Sequence, residues 1–411
     1  MRVLQRICAK PAQHNPTSTI CYLQFTLGNS LMKRPYYIVS SGRLRRKQNT
    51  VYFEPVKTDE DGRSSIEHDP AIDDELLAGF TVETESDSET HKVKRKPIPV
   101  EDVEAFYCLG EMDFNSRFFN FLAQQKIALH LFNYYGHYSG SFIPKEYLPS
   151  GFTLVEQVRA YLDPRRRLLI ARELVDAAAC NIVKNLQYYS NPSRQMESGQ
   201  TRESGDRQID FSSTIQELET LRSSITTTDT TRELMGLEGN IRERYYRCWS
   251  EILGQEYALD KRTKHPPDNA INALVSFANS LVYATVLSEI YHTHLNPTVS
   301  FLHGPGERRY SLALDLSEIF KPILADKMIF KLLNTQQIQE KHFRKELNFC
   351  YLEESGRKIV LQEYDERLKT TIKHRGLGRN VSYRHLIRLE AYKLVNHVMS
   401  GEVYKAFRAW W

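Results

Sequence analysis

The sequence predicts an α+β protein in which a small β-rich N-terminal domain precedes a larger, all-helical catalytic domain. Residues 36–56 are rich in Tyr, Val and Phe and broken by turn residues, and the text from Val100 to Gly136 reads as a strand, a short helix and a second strand. From Leu154 onward, Leu, Val and Ala instead recur at helical spacing. At 411 residues the chain is long enough for two or three domains, each with its own core.

Residues 1–31 are expected to form an extension outside the fold. They carry Arg2, Arg6 and Lys10 but lack the apolar core of a signal peptide. The N-terminal domain is placed at residues 32–149. It opens with a β-hairpin over residues 36–56 whose turn carries Arg43, Arg45, Arg46 and Lys47, a cluster that serves either solubility or phosphate contact. Residues 57–96 crowd Asp and Glu between Ser, Thr and Pro and end on a basic KVKRK, which predicts a disordered acidic insertion. A strand, a short helix and a second strand follow and complete a small mixed sheet.

The helical domain spans residues 150–411. Its first helix runs from Leu154 to Tyr189, with Asp163-Pro164 as either a cap or an interruption. Residues 190–232 are poor in apolar groups and read as a mobile connection. A helix beginning near Arg232 follows, then one packed on all sides after Asp268-Asn269, and a helix past Tyr310 carrying Pro322. Brief strands near Cys350, a basic run of Lys369, Lys373, His374, Arg375 and Arg379, a last helix and a docked Trp410-Trp411 end close the domain.

Composition narrows the class. Net charge is only +4 although Lys and Arg total 55, so a nucleic-acid surface must arise by clustering. The six cysteines, Cys8, Cys21, Cys108, Cys180, Cys248 and Cys350, form no CxxC pair, which argues against a zinc ribbon and a secreted disulfide framework. A reducing cytoplasm fits. No apolar run approaches the eighteen or so residues of a membrane span, so a soluble protein is expected.

The candidate chemistry centres on Ser300 to Pro322, SFLHGPGERRYSLALDLSEIFKP. Gly304, Pro305 and Gly306 allow His303 to stand at a sharp exit from an apolar segment. Asp315 and Glu318 lie three residues apart and share a helix face. An imidazole and carboxylates make a mixed nitrogen and oxygen site suited to Mn²⁺ or Mg²⁺. Glu238, near Gly236 and Gly239 in LMGLEGNIRERYY, is the candidate third ligand, because each glycine costs its helix roughly 1 kcal/mol and close backbone approach would offset that. Arg242 and Arg244 are placed to fork onto phosphate. The same residues also fit a loop histidine, helix N-terminal charges and a solvated Glu238–Arg242 pair. Pro322 leaves the Glu318 carbonyl without its i+4 donor and predicts that the first turn of this helix is opened or kinked there. His292 and His294 make a weak metal pair, and Tyr283 reads as core.

Six pieces, in order, carry a resemblance: MKRPYYIVSSGRLRRKQNTVYFE, NFLAQQKIALHLFNYYGHYSGSF, LMGLEGNIRERYY, PPDNAINALVSFANSLVY, NPTVSFLHGPGERRYSLALDLSEIFKP and FRAWW. From about Met32 to Trp411 the chain resembles the CRISPR-associated integrases, the family of Cas protein one. The resemblance implies a β-rich domain used for homodimer contact and a helical catalytic domain. It further implies insertion of captured DNA fragments as spacers into a CRISPR array, with a small second protein of the adaptation complex, and cleavage of branched or single-stranded DNA. It assigns the ion to Glu238, His303 and Glu318, with Asp315 close by, and leaves the division of labour between Asp315 and Glu318 open. Arg242, Arg244, Arg308 and Arg309 are the expected phosphate contacts. A metal-dependent repair nuclease without integration, and an architectural DNA-binding subunit, are the alternatives.

Overall fold

The computed structural model describes residues 33–55, 57–58, 64–65, 96–147, 150–191, 209–259, 261–263, 266–306, 310–346 and 349–410. The extension, most of the acidic insertion, Arg308, Arg309 and Trp411 lie outside the described residues.

The N-terminal part holds two four-stranded sheets rather than one. Strands β1 (Arg34–Ile38), β2 (Gly42–Lys47), β3 (Thr50–Pro55), a short β4–β5 ribbon (Lys57–Thr58, Ser64–Ser65), β6 (Lys96–Pro99), β7 (Val103–Cys108) and β8 (Met112–Asp113) come first. Helix α1 (Ser116–Gln125) and strands β9 (Ala128–Phe132) and β10 (Tyr138–Phe142) follow. One sheet has the order β1-β7-β9-β10, with β1, β7 and β9 parallel and β10 antiparallel; the other has the order β6-β3-β2-β8. Alternation along β7 decides what each face covers. Phe106 and Cys108 pack with Leu44, Val51 and Ile98 of the second sheet and with Phe118 of α1, while Ala105 and Tyr107 join the helical core. A sheet buried on both faces explains the near-continuous apolar text of this strand.

The basic cluster corrects the hairpin expectation. Gln48, at φ 54°, sits in the turn, so Arg43, Arg45, Arg46 and Lys47 belong to strand β2 itself. Arg43 pairs with Asp113 at 3.3 Å, Arg45 with Glu54 at 3.7 Å, and the Arg46 guanidinium lies 4.5 Å over the Phe121 ring. Three of the four are engaged within the fold.

The helical part comprises α2 (Gly151–Leu162), α3 (Pro164–Ser190), α4 (Ser212–Ser223), α5 (Thr231–Arg247), α6 (Trp249–Leu253), α7 (Ala270–Tyr291), α8 (Ser311–Lys321), α9 (Lys327–Asn334), α10 (Glu354–Lys369) and α11 (Tyr383–Ser400). Asp163 both ends α2 and caps α3, accepting from the N–H groups of Arg165 and Arg166 at 2.9 and 3.2 Å with Pro164 at the first turn. The domain is not all-helical: hairpins β11–β12 (Phe343–Lys345, Cys350–Leu352) and β13–β14 (Thr371–Lys373, Asn380–Ser382) interrupt it. The mobile connection also shrinks. Residues 192–208 lie outside the described residues, but α4 and a 3₁₀ turn follow, with Phe211, Leu218 and Ile225 buried. Their apolar stripe is diluted by Ser and Thr, and this hides it in composition.

Helix α7 is long and apolar enough to cross a membrane by length and composition, at a mean hydropathy of 1.5, which corrects the expectation that no such run exists. It is the core helix, with 78% of that window buried. The chain end docks through Asn181, whose amide nitrogen donates to the Ile319 and Phe407 carbonyls and whose oxygen accepts from Ala409 N–H at 2.8 Å. The described cysteines, Cys108, Cys180, Cys248 and Cys350, are free thiols.

Candidate metal centre

Three elements converge on a cleft of about 410 Å³. Glu238, Gly239, Arg242 and Tyr246 reach it from α5, His303 from the loop after Ser300, and Glu318 and Lys321 from α8. The candidate ligands Glu238, His303 and Glu318, distant along the chain, therefore share one cavity.

His303 is positioned by Asp315. One Asp315 oxygen accepts from the backbone N–H groups of Phe301 and Leu302 at 2.7 and 2.9 Å. The other accepts from His303 N–H at 3.0 Å and faces His303 Nδ1 at 2.8 Å. Asp315 is fully buried beneath the loop. A carboxylate so engaged fixes the loop backbone and the ring orientation, and it leaves Nε2 as the imidazole atom for a ligand. Burial works against a proton on His303, but the Asp315 carboxylate outweighs it and raises the imidazole pKa above its usual value.

Arg242 links the two glutamates. Its Nε donates to Glu238 Oε1 at 2.8 Å and its Nη2 to Glu318 Oε2. Lys321 Nζ donates to the other Glu318 oxygen. Burial pushes the Glu318 pKa up, yet the charges of Arg242 and Lys321 prevail and hold it at about 2. Glu318 is thus held as the anion. Two carboxylates and a tethered imidazole in one cleft are a donor set that fits Mg²⁺ or Mn²⁺.

The glycines near Glu238 act differently from the expectation of close backbone packing. A Cβ built on Gly236 or Gly239 meets nothing within 4 Å. Gly239 instead lines the cleft without filling it.

The expected phosphate contacts divide. Arg242 faces the two acids, and Arg244 pairs with Glu217 at 2.8 Å on the exposed side of α5. The sequence reading missed Lys321, Arg262 and Asn279, which also line the cleft. Lys321 had a legible signal, since it stands three residues after Glu318 on one helix face. Arg262 stands in irregular text and had none.

His294 is exposed and does not join His292 in a ligand group among the described residues, in keeping with a weak pair. His292 instead gathers with Glu104 and Glu289, their ligand-type atoms all within 4.8 Å of one another. Arg388 holds Glu289 at 2.6 Å and Glu104 at 3.4 Å, and Arg384 approaches Glu104 at 3.3 Å and Glu289 at 3.6 Å. Two guanidinium groups balance the two carboxylates, so this cluster is an ion-pair junction between β7, α7 and α11. Tyr283 is not plain core: its hydroxyl accepts from Tyr310 N–H at 3.2 Å beside a second cleft.

The family described as CRISPR associated protein Cas1 matches residues 78–366. A CRISPR-associated endonuclease Cas1 of Thermodesulfovibrio yellowstonii is 45% identical over 378 residues, covering 92% of this chain and 100% of the relative. The solved structure of a Cas1 protein from Thermotoga maritima is 34% identical, with a TM-score of 0.69 over 91% of this chain and 100% of that one. A casposase bound to integration product, 18% identical, shares the fold with a TM-score of 0.70 over 90% of this chain and 91% of its own.

Proposed function

We propose, because the chain belongs to the family of CRISPR associated protein Cas1, that it is a divalent-cation-dependent DNA endonuclease and integrase that inserts captured fragments as spacers into a CRISPR array. The observation that carries this reading is the convergence of Glu238, His303 and Glu318 on one cleft beside Arg242 and Lys321.

In this reading Glu238, His303 and Glu318 would hold one Mg²⁺ or Mn²⁺. The ion, when bound, supplies Lewis-acid activation of the nucleophile and of the phosphoryl oxygens. The chain's own residues do the rest. Asp315 keeps His303 in the tautomer that presents Nε2. Arg242 and Lys321 hold the Glu318 carboxylate in place and add positive charge where negative charge grows on the phosphoryl group. A 3′-hydroxyl of the incoming strand attacks phosphorus, and the bond to the leaving 3′-oxygen breaks. Water in place of the hydroxyl gives cleavage, which accounts for expected activity on branched or single-stranded DNA. A homodimer and a small second protein of the adaptation complex are the proposed assembly.

A strand-transfer assay on a repeat-bearing plasmid tests the reading. Labelled fragments joined to the plasmid in Mn²⁺, with Glu238→Gln reducing joining by at least about 100-fold while DNA binding persists, are the expected result. Nicks without joining would make the protein a repair nuclease instead. Joining unaffected by Glu238→Gln would remove the assigned centre, and metal-independent binding alone would leave an architectural subunit.

A further inference from the structure

The cleft of the candidate metal centre adjoins a second one of about 800 Å³, bounded by Tyr138 of β10, by Ser280 and Tyr283 of α7, and by Tyr310. Arg262, Asn279 and Lys321 line both cavities. These three side chains form the wall common to both.

Arg262 differs from the other cations of the site. Arg242 lies against Glu238 and Glu318, Lys321 against Glu318, and Arg244 against Glu217. Arg262 forms no ion pair among the described residues. Its Nη1 donates to Thr263 O at 2.6 Å and to Asn272 Oδ1 at 2.8 Å, and its Nη2 to Ser276 Oγ at 2.8 Å. Neutral acceptors fix the guanidinium, and the Asp268 carboxylate acts on its charge from a distance, without an ion pair. Burial first, and the neighbouring Arg242 charge besides, weaken its hold on the proton and outweigh the opposing pull of Tyr246 and Asp268. In the same wall Asn279 Oδ1 is buried with no hydrogen-bond partner. A guanidinium without an ion pair and a carbonyl oxygen without a donor thus belong to the same wall.

We propose that Arg262 binds a phosphodiester next to the reacting one, on a strand that runs from the carboxylate and histidine cleft into the second cleft. A phosphodiester carries one negative charge and two oxygens that match the guanidinium fork. The inference rests on the proposed DNA-processing function and adds to it the residue that sets the path of the strand.

The test uses the full-length chain and a fluorescein-labelled forked duplex, with binding measured across a salt series in wild type, Arg262→Gln and Arg262→Lys. Arg262→Gln is expected to weaken binding about 10-fold and to lower the salt slope by about one ion, whereas Arg262→Lys restores the slope and only part of the affinity. A methylphosphonate placed at each linkage beside the junction in turn removes one phosphate charge without altering the protein. One such position should weaken wild type and leave Arg262→Gln unaffected. Equal losses in both proteins at every position, or an unchanged salt slope in Arg262→Gln, overturn the assignment while wild-type DNA processing stands. Wild type that neither binds the fork nor joins strands overturns the functional reading as well.

Discussion

Asp315 and Glu318 stand one helical turn apart on α8, yet their surroundings give them different tasks. Asp315 has its oxygens committed to three backbone N–H groups and His303 Nδ1, while Glu318 faces Arg242 and Lys321 across the cleft. Asp315→Asn places an amide nitrogen against donors, so it should cost at least about 2 kcal/mol in urea unfolding as well as activity. Unchanged stability would contradict a positioning role for Asp315. The sequence left these two acids unresolved because spacing alone puts both on one face. What separates them is the loop backbone folded over Asp315, and no residue pattern announces that. Arg308 and Arg309 were equally legible as bets, but they lie outside the described residues.

Among elements, the π-turn over Pro322–Asp326 joins α8 to α9 and bears on the site. The missing N–H of Pro322 was legible, and so was an opened turn; its position at the end of α8 rather than in the first turn followed from the helix starting at Ser311. Asn185 Nδ2 secures the turn, donating to Pro322 O at 2.8 Å and to Tyr245 OH at 3.0 Å. Asn185→Ala removes both of these buried hydrogen bonds and should destabilise the protein by about 2 kcal/mol in urea unfolding. At the end of the same turn Asp326 is buried with Oδ2 unpartnered, and burial pushes its carboxyl up to about 7. The folded chain therefore holds this proton more tightly than the unfolded chain. Stability is lost as pH rises from about 4 to 7, by up to about 1.4 kcal/mol per pH unit, and the full cost persists above. Asp326→Asn should flatten that slope in urea titrations across the range; parallel curves for both proteins would contradict it. The connection at residues 190–232 was misread in part because Phe211, Leu218 and Ile225 are spaced too sparsely among Ser and Thr for composition to expose α4.

For the whole molecule, one ion-pair junction ties the β-rich part to the helical part. Glu104 on β7 and Glu289 on α7 meet Arg384 and Arg388 of α11, with Glu289 fully buried. Removing one partner strands a buried charge, so Arg384→Ala should cost about 3–5 kcal/mol and speed hydrogen exchange in β7 and α7 together. The division into β-rich and helical text was legible from periodicity. The second sheet was not, because β6 and β8 are four and two residues long and pair across an intervening insertion. The convergence of Glu238, His303 and Glu318 rested on motif text, since contacts across 80 residues leave no local period to read. Anomalous diffraction from Mn²⁺-soaked crystals addresses that convergence most directly. One peak in the cleft bounded by Glu238, His303 and Glu318, lost in Glu238→Gln, is the predicted result; no peak there, or manganese at Glu104, Glu289 and His292 instead, would contradict it.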